Sequence, residues 1–227
     1  MSNRDEFLNH IATKLQRKRG RKVTKPTWKH RVQWEILNDK NIDELIDMFE
    51  KQCHKNHTTL KRVSVAQLQD TLRETILHYG GGPIVSGKDD RFEQFGLSTL
   101  LEQLDVVYLN DLHRKQVISI AERANIGITF SDITLAESAT VTLFHDRNNS
   151  RSISLLPTNY IALIPIETIV PRLTHAMKMI HEKVLSGSSI PSCITFVSGP
   201  SNSADIESHL VHGVHGPVEA TFIIIDH

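Results

Sequence analysis

The chain has 227 residues, 39% hydrophobic and 23% charged, with 26 basic and 26 acidic side chains and therefore no formal net charge. That composition fits one sizeable globular domain with residues left for an extension, and it offers no global field to attract nucleic acid or an anionic membrane. No apolar run approaches the roughly 20 residues a membrane helix needs, and acids stand in MSNRDEFLNH where a signal peptide carries its apolar core.

In chain order, residues 2–18 predict an amphipathic helix with Phe7, Leu8, Ile11 and Leu15 on one face. A basic tract follows, from Arg17 to Lys25, ending at Pro26. It reads as a solvated linker, or as an arm that docks on an acidic partner surface. Trp28, Val32 and Trp34 come next, large apolar residues suited to pinning the arm to its own domain or to a second subunit. A second helix is expected over 39–54, with Ile42, Leu45, Ile46 and Phe49 at helical spacing.

From about Leu60 the rhythm becomes one of short strands alternating with helices. RVSVAQ opens a strand-to-helix unit that ends at Gly80-Gly81-Gly82-Pro83, and IVSG is a short strand. DVVYLN (105–110) predicts a strand, 115–125 a helix, and GITFS (127–131) a strand entering a turn over 132–137. ATVTLF (139–144) is a strand, DRNNSR a turn, and SISLLP and YIALIPI two further strands. A long helix is expected over 168–186 and a strand at ITFVSG. SADIESHL has the composition of a helix start, and a last apolar strand follows a Gly-His-Gly-Pro turn. This alternation predicts an α/β domain over 58–227, its mostly parallel sheet covered by helices on both faces, behind a helical extension and arm over 1–57.

Chemistry is limited first by the two cysteines. Cys53 and Cys193 lie far apart without metal-type spacing, which suits free thiols in the cytosol. An iron–sulfur cluster takes about four cysteine ligands, so this chain alone cannot hold one, and any electron transfer must run through another component. There is no P-loop pattern and no G-x-S-x-G elbow. GGGP at 80–83 is a hinge or a close backbone approach rather than a dinucleotide loop.

Three constellations remain. Gly199-Pro200-Ser201-Asn202-Ser203-Ala204-Asp205-Ile206-Glu207 reads as a turn entering a helix, whose amide groups would hold a small anion. Ser201 or Asn202 capping that helix, with Asp205 and Glu207 satisfying its dipole, is the competing reading. His209, His212 and His215 invite a metal, but Gly213 and Gly216-Pro217 break the segment and no cysteine completes a set, so no metal is expected. Glu137, flanked by small residues at a strand start, is either a desolvated acid–base group or a cap of backbone amides.

Taken together, NRDEFLNHIATKLQR, the run Trp28 to Trp34, Asp43-Glu44-Leu45, Gln52-Cys53, Gly127 to Thr129, Leu135 to Ser138, Ser154 to Pro157 and the C-terminal GPS…ADIE…G-x-HGP resemble the lactate-utilisation protein C family, whose core is the LUD domain. The likeness spans almost the whole chain. It departs where the family usually shows AETGT against Glu137-Ser138-Ala139-Thr140 here, and GPSRTADIE against Asn202-Ser203 here. The second departure removes an arginine fork suited to a carboxylate or phosphate.

The resemblance implies a Rossmann-like fold similar to the sugar-phosphate isomerase and CoA-transferase group. It also implies a cytoplasmic protein needed to oxidise L-lactate to pyruvate beside two iron–sulfur partner proteins. This chain would itself bind no cofactor, and the clusters would sit on the partners. Glu137 is then the candidate acid–base residue and His215 a second catalytic candidate. Thr140, Gly199, Ser201, Asn202, Ser203, Asp205, Glu207, Gly213 and Gly216 would line a pocket for a small 2-hydroxy or 2-oxo acid. Two other readings stand beside this one: a free-standing enzyme of isomerase or acyl-transfer type with Glu137 as base or nucleophile, and a scaffold in which the turns only hold strands together. Self-association through the tryptophan-bearing arm fits any of the three.

Overall fold

A computed structural model of the chain describes residues 3–20, 22, 24, 26–146, 148–206 and 209–226, with backbone alone at 114, 204–206, 209–210 and 212. The chain forms two compact units, residues 1–32 and 33–227. In the first, α1 (Asn3–Lys14) is joined to the basic tract by an ion pair of 2.7 Å between Arg19 and Asp5.

The second unit begins with a 3-10 turn, Val32–Trp34, at its border, then α2 (Ile42–Lys55). That helix starts at Asn41, whose side chain accepts from the Glu44 amide at 2.9 Å while Glu44 accepts from the Asn41 amide at 3.0 Å. Next come β1 (Thr59–Ser64), α3 (Val65–His78), β2 (Ile84–Ser86), α4 (Arg91–Gln94), α5 (Ser98–Gln103), β3 (Val107–Tyr108), α6 (Arg114–Arg123) and β4 (Ile126–Phe130). They are followed by β5 (Ile133–Leu135), β6 (Thr140–His145), α7 (Ser152–Leu155), β7 (Asn159–Pro165), β8 (Ile169–Val170) and α8 (Leu173–Leu185). The chain closes with β9 (Cys193–Val197), β10 (Asn202–Ile206), β11 (His209–His212) and β12 (Glu219–Asp226).

The main sheet has six strands in the order β1-β12-β7-β4-β2-β3, and every pair in it is parallel. Parallel strands covered on both faces are apolar throughout rather than alternating. Accordingly all seven residues of β7 and six of the eight in β12 are buried. One face packs Leu68, Leu72 and Ile76 of α3 and Phe92, Leu97 and Leu101 against Ile128, Ile161 and Ile223. The other face receives Leu45, Ile46, Phe49 and Cys53 of α2, together with Val141 and Leu143 of a second sheet, against Tyr160, Ala162 and Phe222. The second sheet runs β8-β5-β6-β9, and its far side is covered by Ala176, Met179 and Ile180 of α8. The α/β expectation is met, with this second sheet as an added layer.

Four local expectations are corrected. Residues 132–137 are not simply a turn: Ile133, Thr134 and Leu135 pair with Thr142, Val141 and Thr140. SISLLP is a helical turn, because β4 already has β7 and β2 as neighbours and Ile153 packs instead over Gly127, Val85 and Leu109. The long helix starts only at Leu173, since Ile169 and Val170 are claimed by pairing with β5 and Pro171 follows. Residues 203–206 and 209–210 of SADIESHL lie in the paired strands of a β-hairpin rather than in a helix, with Asn202 facing His212 and Ser203 facing Val211. There helix composition is overridden by closure of the hairpin base, where the Ser201 amide donates to Pro217 O at 2.8 Å and the Gly213 amide to Ser201 O at 2.9 Å.

Candidate functional site

The turn after β5 carries the first group of candidates. Ala136–Ser138 form one 3-10 turn that ends at Ala139, a fully buried residue in left-handed conformation at φ +47°. This kink ties the Glu137 amide to Pro171 O at 3.0 Å and brings the Glu137 carboxylate to Arg172, with Nε to Oε2 at 3.0 Å. Glu137 is part-exposed, its side chain at 42%, whereas that of Arg172 is 23% exposed. Among the described residues the terminal guanidinium nitrogens of Arg172 and the second carboxylate oxygen of Glu137 have no hydrogen-bond partner.

Beside this pair runs a chain of hydroxyls. Thr140 Oγ1 lies 2.7 Å from Ser138 Oγ, 2.7 Å from Ser198 Oγ and 3.2 Å from Ser138 O. Thr140 has a single hydroxyl proton. When the Ser138 carbonyl takes it, both serines must donate to Thr140, and their own lone pairs stay open to a ligand. Ser198 thereby joins the Glu137 turn to the Gly-Pro-Ser turn. Asn56, at the end of α2, completes the join by donating its side-chain amide to Ser138 O at 3.2 Å. Gly199 packs against Asn56 and Thr58 in the segment that leads into β1, so the cluster sits at the amino ends of the main-sheet strands.

The Gly-Pro-Ser and His-Gly-Pro turns form a second group. Ser201 Oγ accepts from the His215 amide at 3.2 Å, Ser201 O accepts from the Gly213 amide, and Gly216 lies against the Ser201 Cβ. Asn202 is exposed and its amide returns to Pro200 O at 3.2 Å, and Ser203 sits in β10 opposite Val211. His215 is exposed, engaged through its backbone. Asp205 is placed by backbone alone, and Glu207 lies outside the described residues. With Asn202–Ile206 in strand β10 rather than in a helix, the helix-terminus anion site loses its basis. No group of metal-binding side chains occurs among the described residues, nor is any helix among them long and apolar enough to cross a membrane.

Comparison with known proteins bears on this arrangement. Residues 46–225 match the LUD domain. The chain is 50% identical over 221 residues to "Lactate utilization protein C" of Anoxybacillus flavithermus, covering 97% of this chain and 98% of that one. It is 44% identical over 232 residues to the protein of the same name from Bacillus subtilis, covering 99% and 97%. The chain belongs to the lactate utilization protein C family. A crystal structure of a DUF162 family protein from Deinococcus radiodurans shares the fold, with a TM-score of 0.61 at 18% identity over 82% of this chain and 99% of that one.

Within this family member the structure joins Glu137 and Thr140 to Ser198 and Gly199, and separately joins Ser201, Gly213, His215 and Gly216. No hydrogen bond links Glu137 to His215 among the described residues. Sequence reasoning missed Arg172, Ser138, Ser198 and Asn56. Arg172 did carry a signal, since it sits at the N-cap of α8, where a cation opposes the helix dipole and needs a carboxylate nearby.

Proposed function

We propose that this chain serves the utilisation of L-lactate, as a non-redox component of a system that oxidises it to pyruvate. Near full-length similarity to proteins named for lactate utilisation carries this reading. Iron–sulfur partner proteins would move the electrons, in keeping with a chain whose two thiols are far apart and free. Its own part is to hold a small 2-hydroxy or 2-oxo acid, with the carboxylate on the terminal nitrogens of Arg172. Glu137 then stands within reach of the 2-position as acid or base, and the Ser138–Thr140–Ser198 hydroxyls receive the neighbouring oxygen.

The test is L-lactate-dependent dye reduction by the reconstituted system, with this chain omitted, restored, or replaced by Glu137→Gln or Arg172→Gln. Activity should vanish on omission, return with the parent chain and stay low with either variant at unchanged melting temperature. Full activity with both variants would remove this site from the reaction. The interlock of Ser201 with Gly213, His215 and Gly216 favours a structural role for those two turns. Ser201→Ala should therefore lower stability and activity in parallel.

A further inference from the structure

The amino end of the main sheet holds the Arg172 site, yet open α/β sheets bind ligands outside the carboxyl ends of their strands, near the point where strand order reverses. Here β2 is followed by β3 on one side and β4 on the other, so the reversal lies at β2. The segment 148–152 crosses this end, the Asn148 backbone packing on Gly87 just after β2. Between that segment, the start of α6 and the strand entry at 189–193 opens a cleft of about 990 Å³. That volume is within the size range of small-molecule sites, about 300–1,000 Å³.

The lining is divided by chemistry. Leu112, Val117 and Ile118 make an apolar wall. Arg151 also lines the cleft, exposed and without an ion-pair partner among the described residues. The hydroxyls of Ser152, Ser189 and Ser192 line the same space and make no side-chain hydrogen bond to a described residue. His145 at the base is already committed, with Nδ1 to Asn149 O at 3.2 Å and Nε2 to Thr195 Oγ1 at 2.8 Å. Since a carbonyl can only accept, Nδ1 carries a proton toward Asn149, and burial holds the His145 imidazole below its ordinary 6.5. The charges of the lining are then the Arg151 guanidinium and the Asp146 carboxylate, whose Oδ1 is taken up by the Asn148 and Asn149 amides at 2.7 and 2.9 Å.

A guanidinium and three open hydroxyls supply more donors than two carboxylate oxygens accept, and they match the three terminal oxygens of a phosphate monoester. We propose that this cleft binds a phosphate ester of mononucleotide size, its phosphate on Arg151 and the serine hydroxyls, its organic body on the Leu112–Ile118 wall. The site is separate from the one assigned to the small acid.

Cys193 lines the cleft and is half-buried, whereas Cys53 is fully buried, so N-ethylmaleimide labelling of Cys193, read by peptide mass, reports occupancy. The probes are adenosine monophosphate, ribose 5-phosphate and inorganic phosphate, each with the full chain and with Arg151→Gln. With an ester at about ten times its Kd, labelling should slow about tenfold and the melting temperature should rise. Arg151 is exposed, so R151Q should melt as the parent does while losing that protection. Three outcomes overturn the proposal: no slowing by either ester, equal slowing by inorganic phosphate, or protection that survives R151Q.

Discussion

Gly199 sits where the two halves of the Arg172 site meet, and replacing it with alanine gives a sharp test of that packing. Its φ of +103° is a backbone conformation L-residues rarely adopt, so alanine there costs about 1–2 kcal/mol in backbone strain. The new Cβ would also fall inside the van der Waals shell of Thr58 Oγ1 and 3.2 Å from the Asn56 carbonyl. Thr58 is buried and cannot swing clear, which adds an overpacking cost of about 1–3 kcal/mol. The sum is about 2–5 kcal/mol, or a fall in melting temperature of some 5–15 °C for a chain of this size.

Thr58→Ala removes the obstructing oxygen but leaves the strained φ untouched. The double variant Thr58→Ala/Gly199→Ala should therefore lie above the sum of the single effects by about 1–3 kcal/mol, the steric part alone. Urea unfolding of the four proteins measures this. A Gly199→Ala protein as stable as the parent, or strictly additive effects, would refute the close approach of the Gly-Pro-Ser turn to the entry of β1.

Other expectations are independent of that one. Ala139→Gly relieves about 1 kcal/mol of left-handed strain but loses a buried methyl worth about 0.8 kcal/mol and adds freedom to the unfolded chain. Thermal melting should therefore find it within a few degrees of the parent. Arg91 bonds Asp89 and Asp132 at 2.6 and 3.1 Å, with all three side chains less than a quarter exposed. Arg91→Leu strands both carboxylates and should cost about 2–4 kcal/mol at pH 8, short of the 3–5 for full burial. Burial already pushes the Asp132 carboxyl up, so protonation should ease that loss as pH falls, which urea midpoints at pH 8 and 5 would show. Burial likewise holds the His145 and His175 imidazoles below the ordinary 6.5. Above 6.5 both states are neutral; below it the unfolded chain binds protons first, so these groups lose stability as pH falls from 6.5 through their folded values. A stability curve flat from pH 7 to 5 would contradict that. Finally, the Cys53 thiol, pushed up to about 12 by burial, should resist Ellman's reagent at pH 8 until the chain is unfolded, while Cys193 reacts in the native protein.

Much of this protein could be read from local pattern. Uninterrupted apolar runs such as YIALIPI announce strands covered on both faces, and Ile42, Leu45, Ile46 and Phe49 announce the helix that packs there, because burial depends on spacing the chain carries with it. The departure at Ala139 also carried information, since glycine in the family's AETGT pattern suits the left-handed φ that the structure shows at that residue. What the chain could not reveal locally is which segments compete for the same neighbours. SADIESHL has helix composition, but its described residues pair as strands because Ser201 closes onto Gly213 and Pro217. SISLLP reads as a strand but has no vacant place beside β4. Arg172 reaches Glu137 across 35 positions, and the cleft at Arg151 exists only because the 148–152 segment crosses the ends of strands distant in sequence. Composition and periodicity decided the layers; hydrogen-bond closure between remote turns decided the sites, since those bonds depend on distances that exist only after the layers have packed.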